Sequence, residues 1–332
     1  MRKLLILSAP EEQFSDASVD ILRRAAEGAF RVSFLPSGAS TEARRAAVAQ
    51  AEVVIGEPLL EELRDAPTLR WIQLTWAGAD RYIRGASEFP AGVSLTCATG
   101  AFGVTISEHV LGMLLALCRN LPVYRAYQQQ GVHHLYRPER LLYGGNAVIL
   151  GTGDVGTEVA RRLRAFGMKL TGVCRTPRPI PEFDRVCALR DADAALRQAD
   201  VIVCCLPGTA ETRGYFDRAR LRTLKKDAVL LNVGRGSLID SDALADVMQA
   251  GQLYGAGLDV TEPEPLPAAH PLRHMDNVIL TPHVAGVSLG AAPETERRIV
   301  NICCENLRRY LHGEPLRNVV DFQTGYRARI TW

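Results

Sequence analysis

The hexapeptide Gly151-Thr152-Gly153-Asp154-Val155-Gly156 has the residue types and spacing to cradle a phosphate. In a G-x-G-x-x-G turn the first glycine permits the tight bend, the second lets a pyrophosphate approach the backbone, and the third brings a helix against a strand. Gly151, Gly153, Asp154, Val155 and Gly156 are therefore the expected phosphate-side contacts of a dinucleotide. Asp154 suits a helix N-terminus but repels pyrophosphate. About 20 residues on, an NAD site usually carries Asp or Glu for the ribose 2′-hydroxyl. Here stand Cys174, Arg175 and Thr176, followed by Arg178. A guanidinium grips a 2′-phosphate through charge-assisted bonds. NADP(H) is the expected cofactor, with NAD(H) possible, and the alternative is that Arg175 is an ordinary surface arginine. Three further polar residues close apolar runs: Arg235 in Asn-Val-Gly-Arg-Gly, Glu264 in Asp-Val-Thr-Glu-Pro-Glu-Pro and His283 in Thr-Pro-His-Val-Ala-Gly. Ligand crevices of open α/β sheets lie outside the carboxyl ends of strands, so these side chains can converge on a nicotinamide. Taken singly, each has a plain alternative: a loop arginine on a surface acid, an exposed glutamate, a core histidine.

The elements that must position these residues are legible around the glycines. Residues 147–150 are a short apolar run. Val155, Val159, Leu163 and Phe166 recur at helical spacing, and residues 170–174 form a second apolar run. Strand, glycine turn, helix and strand within one unit of about 30 residues make the turn a dinucleotide fingerprint. Downstream, the runs at 201–207, 228–234, 256–260 and 277–283 are strand-like, and 240–251 is a helix closed by Gly251. A doubly wound sheet is expected over 100–286. Upstream, KLLIL, RVSFL, EVVIG, RWIQL and VSLTC alternate with helical segments such as 17–28 and 41–50, which predicts a smaller parallel α/β unit. Within it, Thr75-Trp76-Ala77-Gly78-Ala79-Asp80 follows a strand end. Residues 107–119 are a nearly all-apolar helix that must be buried or cover a partner. Residues 124–143 are polar, aromatic and irregular, the pattern of a surface arm, and 290–312 is a long helix.

Composition narrows the function classes. At 332 residues, with 47% apolar and 23% charged residues, the chain has the size of two soluble globular domains. Net charge is +2 with 6% aromatics and no basic block, so there is no footprint for nucleic acid. The apolar start at Met1 stops at Pro10-Glu11-Glu12, too short for a signal h-region, and no run is long enough to span a bilayer. A cytoplasmic protein is expected. The eight cysteines sit mostly in apolar runs without metal-type spacing and read as reduced thiols. His133 and His134 are adjacent but lack a third ligand, so no metal is expected.

Taken together, SEHVLGMLLALCRNLP, GTGDVG, LPGTAETRGYF, LLNVGRGSLIDSDAL, GAGLDVTEPEPLP, NVILTPHVAG and the terminal NVVD…GY resemble the D-isomer-specific 2-hydroxyacid dehydrogenases, of the glyoxylate/hydroxypyruvate reductase kind, over nearly the whole chain. That resemblance implies a Rossmann domain at 100–286 and a flavodoxin-like substrate domain at 1–99 and 287–332, with the active cleft between them and hinges near 99–101 and 286–290. It also implies that Arg235 binds substrate, Glu264 is the partner carboxylate, and His283 gives or takes the proton. Asp259 resembles the aspartate that binds the nicotinamide carboxamide. Leu206, Pro207, Thr212 and Val233 are the remaining expected cofactor contacts, and the Ala77-Gly78 backbone resembles the loop that receives the substrate carboxylate. Trp76 beside it narrows the pocket, stacks on a side chain, or packs in the core. Reduction of a 2-keto acid needs a hydride, a proton for the alkoxide and a carboxylate clamp, which suits these assignments. Glu264 argues against the related formate dehydrogenases, whose histidine pairs with an amide. The family further implies a homodimer acting on a small 2-keto or 2-hydroxy acid. Two readings compete with an NADPH-linked reductase: NAD-linked oxidation of a D-2-hydroxy acid or phosphite, and a nucleotide-sensing, corepressor-like binding protein.

Overall fold

The computed structural model describes residues 2–8, 13–133, 136–286, 289–290 and 292–324. His134, the Pro10-Glu11-Glu12 stop, Gly325-Tyr326 of the terminal motif and part of the expected 286–290 hinge lie outside them. The chain clusters into two compact units, Met1–Phe102 with Val287–Trp332, and Gly103–Gly286.

The first unit carries strands β1 (Arg2–Leu7), β2 (Phe30–Leu35), β3 (Val53–Gly56), β4 (Trp71–Gln73) and β5 (Ser94–Thr96). They pair in parallel in the order β2-β1-β3-β4-β5, the flavodoxin-like winding. The inner strands β1, β3 and β4 read as apolar runs because both faces are covered, while edge strand β2 is exposed at Arg31 and Ser33. Leu5, Leu7, Val54, Ile72 and Leu95 are all within 1% of full burial. Trp71 is fully buried: its indole N–H donates to Thr96 Oγ1 at 2.9 Å and its ring stacks on Tyr310. The expected long helix runs Pro293–Leu311 and packs on the helix Asp16–Ala25.

The second unit carries β6 (Asn146–Leu150), β7 (Lys169–Cys174), β8 (Arg185–Ala188), β9 (Val201–Cys204), β10 (Ala228–Asn232), β11 (Leu253–Leu258) and β12 (Val278–Leu280). The sheet order is β8-β7-β6-β9-β10-β11-β12, all parallel. This is the Rossmann winding with one strand added at the far edge, and its direction reverses between β6 and β9. The all-apolar helix is Gly103–Cys118, and it lies on β11. Gly255 and Gly257 make that approach possible, because an added Cβ would meet Leu117 Cδ2 and Met113 Sδ, each at 3.1 Å. A helix apolar all round is thus explained by burial within its own unit.

Two sequence readings need correction. The segment 124–143 is not irregular throughout: Leu121–Gln129 is a helix with Pro122 in its first turn, where a missing N–H costs nothing. The rest of the arm is pinned, with Asn120 and Tyr254 both donating to the Pro138 carbonyl. Edge strand β8 has no counterpart among the apolar runs, because Arg185-Val-Cys-Ala is short and only half covered. Among the described residues no helix is long and apolar enough to cross a membrane.

Candidate active site

The glycine turn connects β6 to the helix Asp154–Ala165, beside the point where the strand order reverses. Gly151 sits at φ 106°, a conformation that favours glycine, and a Cβ there would come within 2.8 Å of the Cys205 carbonyl. At Gly156 a Cβ would lie 1.8 Å from the Gly151 carbonyl, so only glycine lets helix and turn meet. Beside Gly153 the space is open, which leaves room for a phosphate at the first N–H groups of the helix. Asp154 puts an unfavourable charge in this loop, but its carboxylate is engaged locally, with Oδ2 accepting from the Gly103 N–H at 2.7 Å. It thereby ties the start of the apolar helix to the start of the phosphate helix.

Arg175 and Thr176 follow β7 directly and are exposed, and the Cys174 thiol reaches the Thr176 carbonyl at 3.3 Å. Leu206 and Val233 lie just beyond β9 and β10, nearly buried, with the Val233 N–H on the Cys204 carbonyl at 3.0 Å. Thr212 is 1% exposed; its hydroxyl donates to the Pro207 carbonyl at 2.7 Å and accepts from the Thr209 N–H at 2.9 Å. It shapes the turn after Pro207.

Arg235, Glu264 and His283 follow β10, β11 and β12 in turn, at the carboxyl edge of three neighbouring strands. Arg235 leaves its strand through a turn held by Asn232, fully buried, whose Nδ2 donates to the Arg235 carbonyl and whose Oδ1 accepts from the Gly234 N–H. The Arg235 Nη1 donates to the Gly234 carbonyl at 2.7 Å. Glu264 Oε1 and His283 Nδ1 are 2.7 Å apart, with side-chain exposures of 42% and 50%. Because Nδ1 is engaged, Nε2 is the ring atom left to exchange a proton.

His283 itself is strained, with φ at 57° in the left-handed region that a non-glycine residue rarely adopts. The surroundings over-determine it. Its N–H donates to the carbonyls of Asp259 and Thr281, while the nearly buried Asp259 carboxylate accepts from the Thr281 hydroxyl at 2.6 Å and from the N–H groups of Val284 and Ala285. His109, on the apolar helix, completes the support: Nε2 lies 3.0 Å from Thr281 Oγ1 and 3.8 Å from Asp259 Oδ1. Sequence reading missed Asn232, Thr281 and His109. The signal was present in two of them, a polar residue inside the LLNVG run and a histidine on an otherwise apolar helix.

In the first unit, the 75–80 loop follows β4. Trp76 is 37% exposed, with the Arg81 guanidinium 5.8 Å from its ring centroid, so it is not a core tryptophan. No described residue accepts from the N–H groups of Ala77 and Gly78. All eight cysteines are free thiols, and no group of three metal-type side chains exists among the described residues.

A doubly wound parallel sheet with a glycine turn at its switch point, and an acid, a base and a guanidinium at its carboxyl edge, defines a dinucleotide-dependent oxidoreductase of the α/β class. The sequence profile of the D-isomer specific 2-hydroxyacid dehydrogenase, NAD binding domain, matches residues 111–285. The chain belongs to that family, and it is an NAD(P)-dependent oxidoreductase of CH–OH groups. It is 30% identical to a glyoxylate/hydroxypyruvate reductase of Arabidopsis thaliana over 86% of this chain and 84% of that one. Among solved structures, a D-isomer specific 2-hydroxyacid dehydrogenase family protein from Aeromonas salmonicida superposes with a TM-score of 0.85 at 34% identity, covering 97% of this chain and 100% of that one. An NADPH-dependent glyoxylate/hydroxypyruvate reductase from Sinorhizobium meliloti, in complex with NADP and sulfate, gives 0.80 at 26% identity, covering 98% and 100%.

Proposed function

We propose that the protein is an NADPH-linked reductase of a short 2-keto acid such as glyoxylate or hydroxypyruvate. The observation that carries this reading is the 2.7 Å Glu264–His283 pair, which leaves Nε2 to serve a substrate oxygen. The cofactor would be held by the Gly151 to Gly156 turn and the helix behind it, with Leu206, Pro207 and Val233 along its nicotinamide half. When bound it supplies the hydride for the substrate carbonyl carbon. Protonated His283 gives its Nε2 proton to the developing alkoxide, and the Glu264 carboxylate stabilises the charged ring and orients it. Arg235 binds the keto acid through two parallel N–H donors. The N–H groups of Ala77 and Gly78, without an acceptor among the described residues, receive the substrate carboxylate, with Trp76 bounding its side chain. Asp259 Oδ2, with a single N–H donor from the loop, has capacity left for the carboxamide.

The NADPH preference is supported by Arg175 and Thr176 at the end of β7, where no carboxylate stands to repel a 2′-phosphate, and by the NADP complex of the Sinorhizobium relative. A cytoplasmic homodimer belongs to the same reading. The arm offers Leu121, Leu141 and Tyr143 for the pairing, each more than half exposed. Purified protein mixed with NADPH and a panel of 2-keto acids tests the function by loss of NADPH absorbance. Turnover of glyoxylate or hydroxypyruvate is expected, and a panel without turnover overturns the proposal.

A further inference from the structure

A carboxyl group in the first unit is nearly buried and stands outside the chemistry described so far. Glu57 is 3% exposed and follows β3 directly. It is placed there by Gly56, whose φ of 138° and 2.0 Å approach of a notional Cβ to the Leu7 carbonyl exclude a side chain. Glu57 Oε1 accepts three donors from the neighbouring loop: the Thr75 N–H at 2.8 Å, the Thr75 hydroxyl at 3.0 Å and the Trp76 N–H at 3.2 Å. The next two N–H groups along that loop, Ala77 and Gly78, have no acceptor among the described residues. One carboxyl group therefore fixes the first half of a loop whose next two N–H groups have no acceptor among the described residues.

We propose that Glu57 is a positioning residue for substrate: it anchors the 75–78 loop so that the Ala77 and Gly78 N–H groups are presented to the substrate carboxylate, and its charge state sets how tightly that carboxylate is held. This rests on the reading of the 75–78 loop as the carboxylate site. The sign follows from Coulomb repulsion. Ionised Glu57 places a negative charge behind the loop and opposes an arriving anion, whereas the neutral acid keeps an accepting oxygen without the charge. Burial pushes the Glu57 carboxyl up to about 7, against the lowering effect of the Thr75 and Trp76 donors and the Arg81 charge. The other groups around it are spoken for. Tyr82 donates to the Pro58 carbonyl, and burial holds its hydroxyl well above the usual phenol range. Arg44 donates to the Glu57 carbonyl oxygen but gives its charge to Glu62 in a bidentate pair at 2.7 and 3.1 Å. Cys303, from the helix Pro293–Leu311, is a buried thiol held neutral.

Substrate affinity should then weaken as pH rises through neutrality. The test is the KM for glyoxylate between about pH 6 and 8 in the wild-type chain and in Glu57→Gln, which keeps shape and an accepting oxygen but cannot ionise. A proton and an anion coupled this way change each other's affinity by roughly fivefold or more. The wild-type KM is expected to rise by about that factor, while Glu57→Gln stays near the low-pH value with kcat unchanged. A merely structural role would leave the two pH profiles parallel, and that result overturns the proposal. A second readout does not need turnover. In a Trp71→Phe, Trp332→Phe background that leaves Trp76 as the emitter, emission from the anchored loop is expected to step near neutral pH with Glu57 and not with Glu57→Gln; equal titrations would refute the anchor. If wild type reduces no 2-keto acid, the functional reading fails on its own, and the emission step still decides whether Glu57 governs the loop.

Discussion

The two units each end a parallel sheet in a carboxylate that supports another group, yet the two carboxylates live in opposite surroundings. Glu264 is 42% exposed and faces a titratable ring, His283, at 2.7 Å. Glu57 is 3% exposed and faces uncharged donors. A carboxylate at such an exposed site can stabilise a cation that forms and disappears beside it. A buried one without a full countercharge is pushed toward its neutral form, and so converts pH into a change of local field. Exposure, more than residue type, separates the group suited to proton chemistry from the group suited to binding.

The largest expected effect tests the exposed pair. His283→Ala removes the proposed proton donor and is expected to lower kcat by about a thousandfold or more, within the upper range of general acid–base contributions. NADPH affinity, measured by fluorescence titration, should hold, because the ring lies away from the glycine turn in sequence and in its hydrogen bonds. Retention of most turnover would make the pair structural. Next comes Glu264→Gln, which keeps size and one acceptor but no charge, with kcat expected to fall by about a hundredfold. The same change at Glu57 leaves kcat alone. Equal kcat losses in Glu264→Gln and Glu57→Gln would dissolve the distinction between the two carboxylates.

At the cofactor end, Arg175→Asp replaces an expected 2′-phosphate partner with a like charge. kcat/KM for NADPH should drop roughly tenfold to a hundredfold while that for NADH changes little, the cost of one charge-assisted contact. Equal wild-type efficiency with both cofactors would refute the preference. The smallest effect concerns stability. Glu57 has a native value of about 7 against an ordinary 4.5, so the folded state holds more protons across that window. Stability from this group is therefore full below about pH 4.5 and is lost as pH rises toward and through 7, on the order of 3 kcal/mol in all. Denaturant titrations at about pH 5 and 8 should show this decline in wild type and a flatter profile in Glu57→Gln; parallel profiles would contradict the buried charge.

The sequence by itself marked two parallel α/β units, because a parallel strand covered on both faces must read as a continuous apolar run and a crossover helix as a 3.6-residue stripe, whereas the strand order of each sheet came with the family resemblance. It also determined the phosphate turn, since Gly151 and Gly156 occupy backbone positions that exclude a Cβ, a constraint visible in the glycines themselves. Arg235, Glu264 and His283 were legible singly because each follows an apolar run, and a strand end is a place that sequence marks; the family resemblance made them a set. Tertiary structure alone decided what those side chains and their supports touch. That Asp154 holds Gly103, 51 residues away, that Asp259 and His109 clamp the left-handed turn of His283, and that Glu57 anchors Thr75 all depend on strand order bringing distant loops together. The short edge strand β8 and the helix Leu121–Gln129 escaped the pattern for a related reason: half-covered elements carry only part of the apolar signal, and packing supplies the remainder. Glu57 is the clearest case, since a glutamate after Val-Val-Ile-Gly reads as surface until β4 and its loop are laid beside it.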